Sequence, residues 1–210
     1  MSATDAIFYI IILIMSVVIH EVSHGFVAEK WGDNTARNAG RLTLNPIKHL
    51  DLFGSILLPA LLVLSNSPFL IGWAKPVPYN PYNLRNQKWG TVAVASAGIL
   101  SNIFLAVLFG LIMRFSLSSS FGLNIPAGFF VVTSIIVITN LALALFNLVP
   151  LPPLDGSRIL FTLLPASFSS AILFLEQYAF IFLLIFIFYF SDFLQPILFF
   201  LYSLITGHGF

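Results

Sequence analysis

Residues 7–24 read IFYIIILIMSVVIHEVSH. The part before His20 is apolar on every side, which is typical of a helix that lies in lipid. Residues four apart on a helix share a face, so His20 and His24 can aim their imidazoles at one point, with Glu21 beside them. Polar side chains deep in a membrane segment are costly and commonly mark a functional site. We therefore predict that residues 6–31 form one membrane-spanning helix that carries such a site.

The pattern His-Glu-x-x-His is that of a zinc hydrolase, in which two histidines hold the metal and the carboxylate accepts a proton from water. It predicts one Zn²⁺ per chain, with His20 and His24 as ligands and Glu21 as the general base. The alternative is that both histidines only form hydrogen bonds between helices.

Composition indicates a membrane protein. Hydrophobic residues make up 59% of the 210 residues and charged residues only 8%, whereas soluble domains have about 25% charged residues. The chain therefore lacks the polar side chains that a water-facing surface needs. The formal net charge is +1 and there is no long basic tract, which argues against a nucleic-acid partner. Cysteine is absent, so disulfides and thiolate ligands are excluded.

The predicted fold class is an all-α polytopic membrane protein, a helical bundle with re-entrant or extended loops near the active site. We expect a single domain over residues 1–210, with a core of residues 6–165 and C-terminal helices within 168–206. The loop GWAKPVP at 72–78 contains two prolines, so we expect an extended segment that lines or gates the site. Residues 52–70 either span the membrane or re-enter it. Further predicted elements are spans at 89–115, 127–149 and 168–190, a polar loop at 116–126 and a short helix at 193–206.

A catalytic zinc needs three protein ligands and one open position. Among the eight acidic residues, Asp155 follows a proline-rich break at 150–153 and stands near the start of the next helix, among apolar neighbours. A carboxylate placed in this way can face the interior of the bundle. The alternatives are that Asp155 caps the helix or pairs with Arg158, three residues later.

Three blocks follow one another along the chain: His20-Glu21-x-x-His24, Gly98-x-x-x-Asn102 and Asn147-x-x-Pro150-x-x-x-Leu154-Asp155-Gly156. In this order they resemble the site-2 protease family of intramembrane zinc metalloproteases. The 72–78 loop is also similar to one in compact bacterial members, and we expect a compact form without a PDZ or CBS domain. Ile99 departs from the family pattern, since many members have proline there.

The resemblance implies a role for each matching residue. Asp155 becomes the third zinc ligand beside His20 and His24, Glu21 the general base, and Asn147 a donor to the oxyanion. The implied reaction is hydrolysis of a peptide bond within or next to a transmembrane segment of a membrane protein substrate, as in regulated intramembrane proteolysis. The resemblance also implies a multi-pass protein of a cell membrane, namely a prokaryotic inner membrane. The lipid bilayer is then one of its partners.

A substrate helix must unwind before its peptide bond can be attacked. Residues 38–44 or the 72–78 loop are expected to pair with it as an added strand, which would satisfy its freed backbone groups.

Two other classes of function fit part of the pattern. A metal transporter or metal-binding membrane protein also places His and Asp inside helices, and a pseudoenzyme would bind substrate without cleaving it. Amides in membrane helices commonly join helices, so Asn102 and Asn140 are interpreted first as structural, and Asn147 equally as structural or catalytic. The sequence predicts no particular oligomeric state.

Overall fold

The computed structural model describes residues 3–57, 61, 64, 65, 73–118 and 126–208, and within these ranges it is helical with no strand. This confirms the predicted all-α class. The main helices are α1 (Ala3–Lys30), α2 (Gln87–Ser118), α3 (Ala127–Leu148), α4 (Asp155–Leu163), α5 (Ser169–Gln177), α6 (Ala179–Ile185) and α7 (Leu194–Thr206). Single turns and short irregular helices lie at Thr35–Asn38, Pro46–His49, Leu52–Leu57, Pro81–Asn83, Ala166–Phe168, Phe186–Phe190 and Ser191–Phe193.

Three of the described helices are long and apolar enough to cross a membrane. They lie at Ile7–Lys30, Gln87–Ser116 and Ala127–Leu148, with mean hydropathies of 2.0, 2.2 and 2.4. At 1.5 Å per residue, helices of this length exceed the ~30 Å of a bilayer's hydrocarbon core. The predicted spans at 6–31, 89–115 and 127–149 therefore correspond to α1, α2 and α3. Most of residues 58–70 in the predicted 52–70 segment, and all of residues 119–125 in the 116–126 loop, lie outside the described residues.

The predicted helix at 168–190 is not one helix. Its two parts, Ala166–Gln177 and Ala179–Phe190, are bent by 72°. The break is at Tyr178, whose backbone (φ −104°, ψ 19°) has left helical geometry. Neither glycine nor proline stands there, so the sequence contains no residue that would have indicated the bend.

The core of the bundle lies where α2 packs along both α1 and α3. The C-terminal α7 joins it by packing against α2 and α3. Ala106, Val137, Leu141 and Tyr202 form the buried cluster at this junction. The short helix predicted at 193–206 is therefore an integral part of the packed bundle.

A buried carboxylate fixes the connection between α1 and α2. Asp33 accepts hydrogen bonds from the backbone N–H of Asn80 (2.7 Å), the amide of Asn83 (2.8 Å) and the backbone N–H of Thr35 (3.2 Å). Burial alone would raise the pKa of the Asp33 carboxyl, but these donors together lower it below its usual value. The turn after α1 and residues 79–84 are thereby held together, and this sets the course of the segment that precedes them.

Candidate metal centre

Two histidines and one aspartate meet inside the bundle. The Nε2 atoms of His20 and His24 lie 3.0 and 3.1 Å from the same oxygen, Oδ2 of Asp155. The two imidazole rings are nearly perpendicular, with centroids 4.7 Å apart. All three residues are more than nine-tenths buried. Their ligand atoms lie within 4.8 Å of one another, so these three side chains are close enough to hold one metal ion.

The hydrogen bonds on the far side of each ring show that this donor set suits a cation. His24 Nδ1 lies 2.6 Å from the carbonyl oxygen of Val94, which can only accept, so Nδ1 carries a proton. His20 Nδ1 lies 2.6 Å from Oδ1 of Asn102. When both imidazoles are neutral, their Nε2 lone pairs face the Asp155 carboxylate, and a cation between them would be attracted by all three groups. Zn²⁺ fits such a set of two imidazoles and a carboxylate.

One face of α2 supports both histidines. Val94, Gly98 and Asn102 are spaced four apart, so they form a stripe along that helix. Val94 and Asn102 bond the two Nδ1 atoms, and Gly98 lies between them. A methyl group on Gly98 would lie 2.5 Å from the His20 ring and 2.6 Å from His24 Nε2. The absence of a side chain at Gly98 therefore gives the two imidazoles their space.

Asp155 reaches the histidines because helix α4 begins with it. Leu154 is the N-cap and has an extended backbone (φ −70°, ψ 154°), so the Asp155 side chain does not cap the helix. Its oxygen faces the histidines rather than Arg158, which instead stacks on Tyr79. Both alternative interpretations of Asp155 are thus wrong. A side chain on Gly156 would collide with the carbonyl group of Leu148, so glycine allows α4 to start tightly against the end of α3.

Glu21 is half-buried beside the cluster, and its Oε2 accepts a hydrogen bond of 2.9 Å from the backbone N–H of Val77. Val77 belongs to residues 73–80, which have no regular structure, as predicted for the described part of the 72–78 loop. Arg41 holds this loop by donating to the carbonyl oxygens of Lys75 (2.7 Å) and Pro76 (3.3 Å). The loop therefore lies directly against the glutamate of the HExxH motif.

The three membrane asparagines have different surroundings. Asn102 and Asn140 are fully buried and hydrogen-bonded to each other at 2.8 Å. Asn147 is half-buried, and its Nδ2 donates to the carbonyl oxygen of Leu143 in its own helix (2.9 Å). Asn102 thus contacts the candidate ligand His20 as well as joining two helices, a role beyond the structural one expected from the sequence. The spacing of Asn102 four residues after Gly98 is the signal in the sequence for this contact.

We expect Gly98→Ala to weaken zinc binding about 10- to 100-fold, the range found when groups that support metal ligands are altered. The added methyl displaces both imidazoles, whereas alanine is the better helix former and leaves α2 itself intact. Competition with a chelating dye measures the affinity. The matched control is Gly128→Ala in α3, where nothing lies within 4 Å of the added methyl. Equal affinities in the two variants would contradict the packing argument.

A bundle of apolar helices surrounds a buried His-His-Asp cluster that could hold a metal ion. The model of Peptidase family M50 matches residues 122–190. YwhC of Bacillus subtilis, whose name describes a zinc metalloprotease, is 42% identical over 186 residues, or 86% of this chain and 80% of YwhC. Rip2 of Mycolicibacterium smegmatis, also named as a zinc metalloprotease, is 29% identical over 143 residues, or 68% of this chain and 52% of Rip2. No solved structure matches the chain.

The chain therefore belongs to the site-2 protease family, Peptidase family M50. It is a multi-pass membrane protein and a zinc metalloprotease. The family resemblance expected from the HExxH and Leu-Asp-Gly blocks is confirmed.

Proposed function

We propose that this chain is an intramembrane zinc endopeptidase that cleaves a peptide bond within or next to a transmembrane segment of another membrane protein. The observation that carries the proposal is the convergence of His20, His24 and Asp155 between apolar helices, with Glu21 beside them. A hydrolytic site at this depth can reach peptide bonds that a soluble protease cannot.

His20 and His24, through Nε2, and Asp155, through Oδ2, would hold one zinc ion per chain. When bound, zinc acts as a Lewis acid that makes water nucleophilic near neutral pH and polarises the peptide carbonyl. The residues around the ligands fix their orientation, since Val94 and Asn102 engage both Nδ1 atoms. The buried surroundings keep bulk water away, so water must enter through a polar path.

Glu21 is the general base of the proposed reaction. Its Oε2 is engaged by the Val77 N–H, which leaves Oε1 to accept the proton of the attacking water. The same carboxyl group then delivers the proton to the leaving nitrogen. The contact with Val77 also fixes the direction of the side chain, and the loop thereby contributes to catalysis by orientation.

Asn147 is proposed as a donor to the oxyanion. Its amide has two hydrogens, and the bond to Leu143 uses one of them. The second is available to stabilise the negative oxygen that develops during attack. Asn147 stands three residues before Pro150, at the end of α3 and just ahead of the turn that places Asp155.

The substrate must present an extended backbone, because a helical peptide bond has its carbonyl group bonded within the helix. The loop at 73–80 has few N–H groups left for pairing. Those of Lys75, Val77 and Asn80 bond His49, Glu21 and Asp33, and prolines 76 and 78 have none. This loop is thus less suitable than residues 38–44 to pair with the extended substrate as an added strand.

The partners of the proposed activity are a membrane protein substrate with a transmembrane segment and the lipid bilayer itself. We infer a cell membrane as the location, as in a prokaryotic inner membrane, since both relatives described above are bacterial.

The test is cleavage of a defined probe by the purified chain in liposomes. The probe is a tagged single-span protein whose span contains a Gly-Pro pair, and its partner probe has a polyleucine span of equal length. We expect zinc-dependent cleavage inside the Gly-Pro span only, lost with a chelator and restored by Zn²⁺, with the site located by mass spectrometry. Cleavage confined to the water-exposed tails of both probes would contradict an intramembrane site.

A further inference from the structure

A chain of buried polar groups runs from His20 through three helices. His20 Nδ1 meets Asn102 Oδ1 at 2.6 Å, and Asn102 Nδ2 donates to Asn140 Oδ1 at 2.8 Å. Asn140 Nδ2 in turn donates to Ser16 Oγ (3.0 Å) and to the carbonyl oxygen of Ile136 (2.9 Å). Asn102 Nδ2 also faces the carbonyl oxygen of Ser16 at 3.4 Å. Asn102 and Asn140 have no exposed surface, and Ser16 is 4% exposed.

Two backbone carbonyls give this chain a single direction. The oxygens of Ile136 and Ser16 can only accept, so they require the Nδ2 side of Asn140 and of Asn102, respectively. Turning either amide over would set its oxygen against one of these carbonyl oxygens, which cannot donate. The orientation of Asn140 therefore determines that of Asn102, and Asn102 must present Oδ1 to His20.

We propose that Ser16 and Asn140 are positioning residues that act through Asn102 to fix the proton of His20 on Nδ1. A proton on Nδ1 leaves the Nε2 lone pair directed at Asp155. The other tautomer would place a hydrogen on Nε2, where a metal ligand needs a lone pair. The proposal rests on the proposed role of His20 as a zinc ligand, and it assigns a function to amides that would otherwise serve only to join helices.

A role limited to holding helices together does not account for the common direction of these hydrogen bonds. Amide pairs hold helices together in either orientation, whereas here every described contact agrees with one direction that ends at His20 Nδ1. Thr139, the neighbour of Asn140 in α3, offers a contrast. It is equally buried, and within the described residues its hydroxyl has no hydrogen-bond partner.

The first experiment reads the tautomer of His20 directly. The chain has four histidines, so a ¹⁵N-histidine-labelled sample in micelles gives a sparse NMR spectrum, in which His20→Gln assigns the signal. In the metal-free protein we expect His20 protonated on Nδ1. Asn140→Leu should produce a mixture of Nδ1 and Nε2 protonation, while the matched control Thr139→Val keeps the wild-type signal.

The second experiment measures zinc affinity by competition with a chelating dye. We expect Asn140→Leu to bind zinc about tenfold more weakly and Asn102→Leu about 10- to 100-fold more weakly. Asn102→Asp should bind within a few-fold of wild type, because a carboxylate still accepts from His20 Nδ1 and its charge is balanced by the metal. This rescue separates the effect on His20 from lost packing.

The proposal is overturned if Asn140→Leu keeps both the tautomer and the zinc affinity of Thr139→Val, or if Asn102→Asp loses as much affinity as Asn102→Leu. Should Asn140→Leu fail to fold, Ser16→Ala removes only the Ser16 hydroxyl and should give a smaller shift of the same kind. The metal-free NMR result does not depend on cleavage. It therefore stands or falls separately from the proposed peptidase activity.

Discussion

Purified Glu21→Gln is expected to hold one zinc ion per chain and to cleave the Gly-Pro probe about 10²- to 10⁴-fold more slowly than wild type, the range that a general base contributes. Glutamine has the shape of glutamate, and its carbonyl oxygen can still accept the Val77 N–H that reaches Oε2. The loop should thus stay in place while the ability to take up a proton is lost. Single-turnover rates at equal zinc occupancy measure the effect.

The control for this substitution is Glu29→Gln in the same helix. Glu29 lies in the last turn of α1 and pairs with Arg37, and its replacement removes the same charge without touching the site. We expect its cleavage rate to equal that of wild type. If Glu21→Gln cleaved at the wild-type rate, Glu21 would not be the base, and the metal site would instead fit a protein that only binds or carries the ion.

Asp155→Ala should lose zinc. Structural zinc sites with four ligands bind with about 10–16 kcal/mol, so one ligand contributes about 3 kcal/mol, which is a loss of about 150-fold in affinity. The structure supports this size of effect because both histidines face the same Asp155 oxygen, at 3.0 and 3.1 Å. Metal content after purification and competition with a chelating dye report the loss.

Asp192→Asn is the matched control for Asp155→Ala, since Asp192 is an exposed carboxylate just before α7. We expect it to keep one zinc per chain, and circular dichroism should show all variants equally helical. An Asp155→Ala protein that retained stoichiometric zinc with wild-type affinity would mean that another residue is the third ligand.

The spans and the positions of the two candidate histidine ligands on one helix face could be predicted because both are local in sequence. The apolar run before His20 identifies a membrane helix by its length, and the spacing of His20 and His24 places them on one helix face. The placement of Asp155 was also within reach, because the prolines before it must end α3 and start a new helix. The neighbouring residues left the role of Asp155 open between ligand, helix cap and partner of Arg158, and only the family resemblance favoured the ligand.

The contacts between helices could not be predicted in this way. Whether Gly98 faces His20 depends on the rotation of α2 relative to α1, and no local pattern specifies that rotation. The same holds for Asn140, whose partner lies in another helix. Tyr178 is a different case, since the bend there has no glycine or proline to indicate it.

The donor in the hydrogen bond between Val77 and Glu21 is a backbone N–H, so this bond can persist when the residue at position 77 changes. Any amino acid except proline supplies the same N–H at position 77, so the donor itself does not depend on the identity of the side chain. The flanking Pro76 and Pro78 cannot substitute for it, because neither has an N–H. The identity of the residue at position 77 in related sequences would thus not reveal that its N–H orients the general base proposed here.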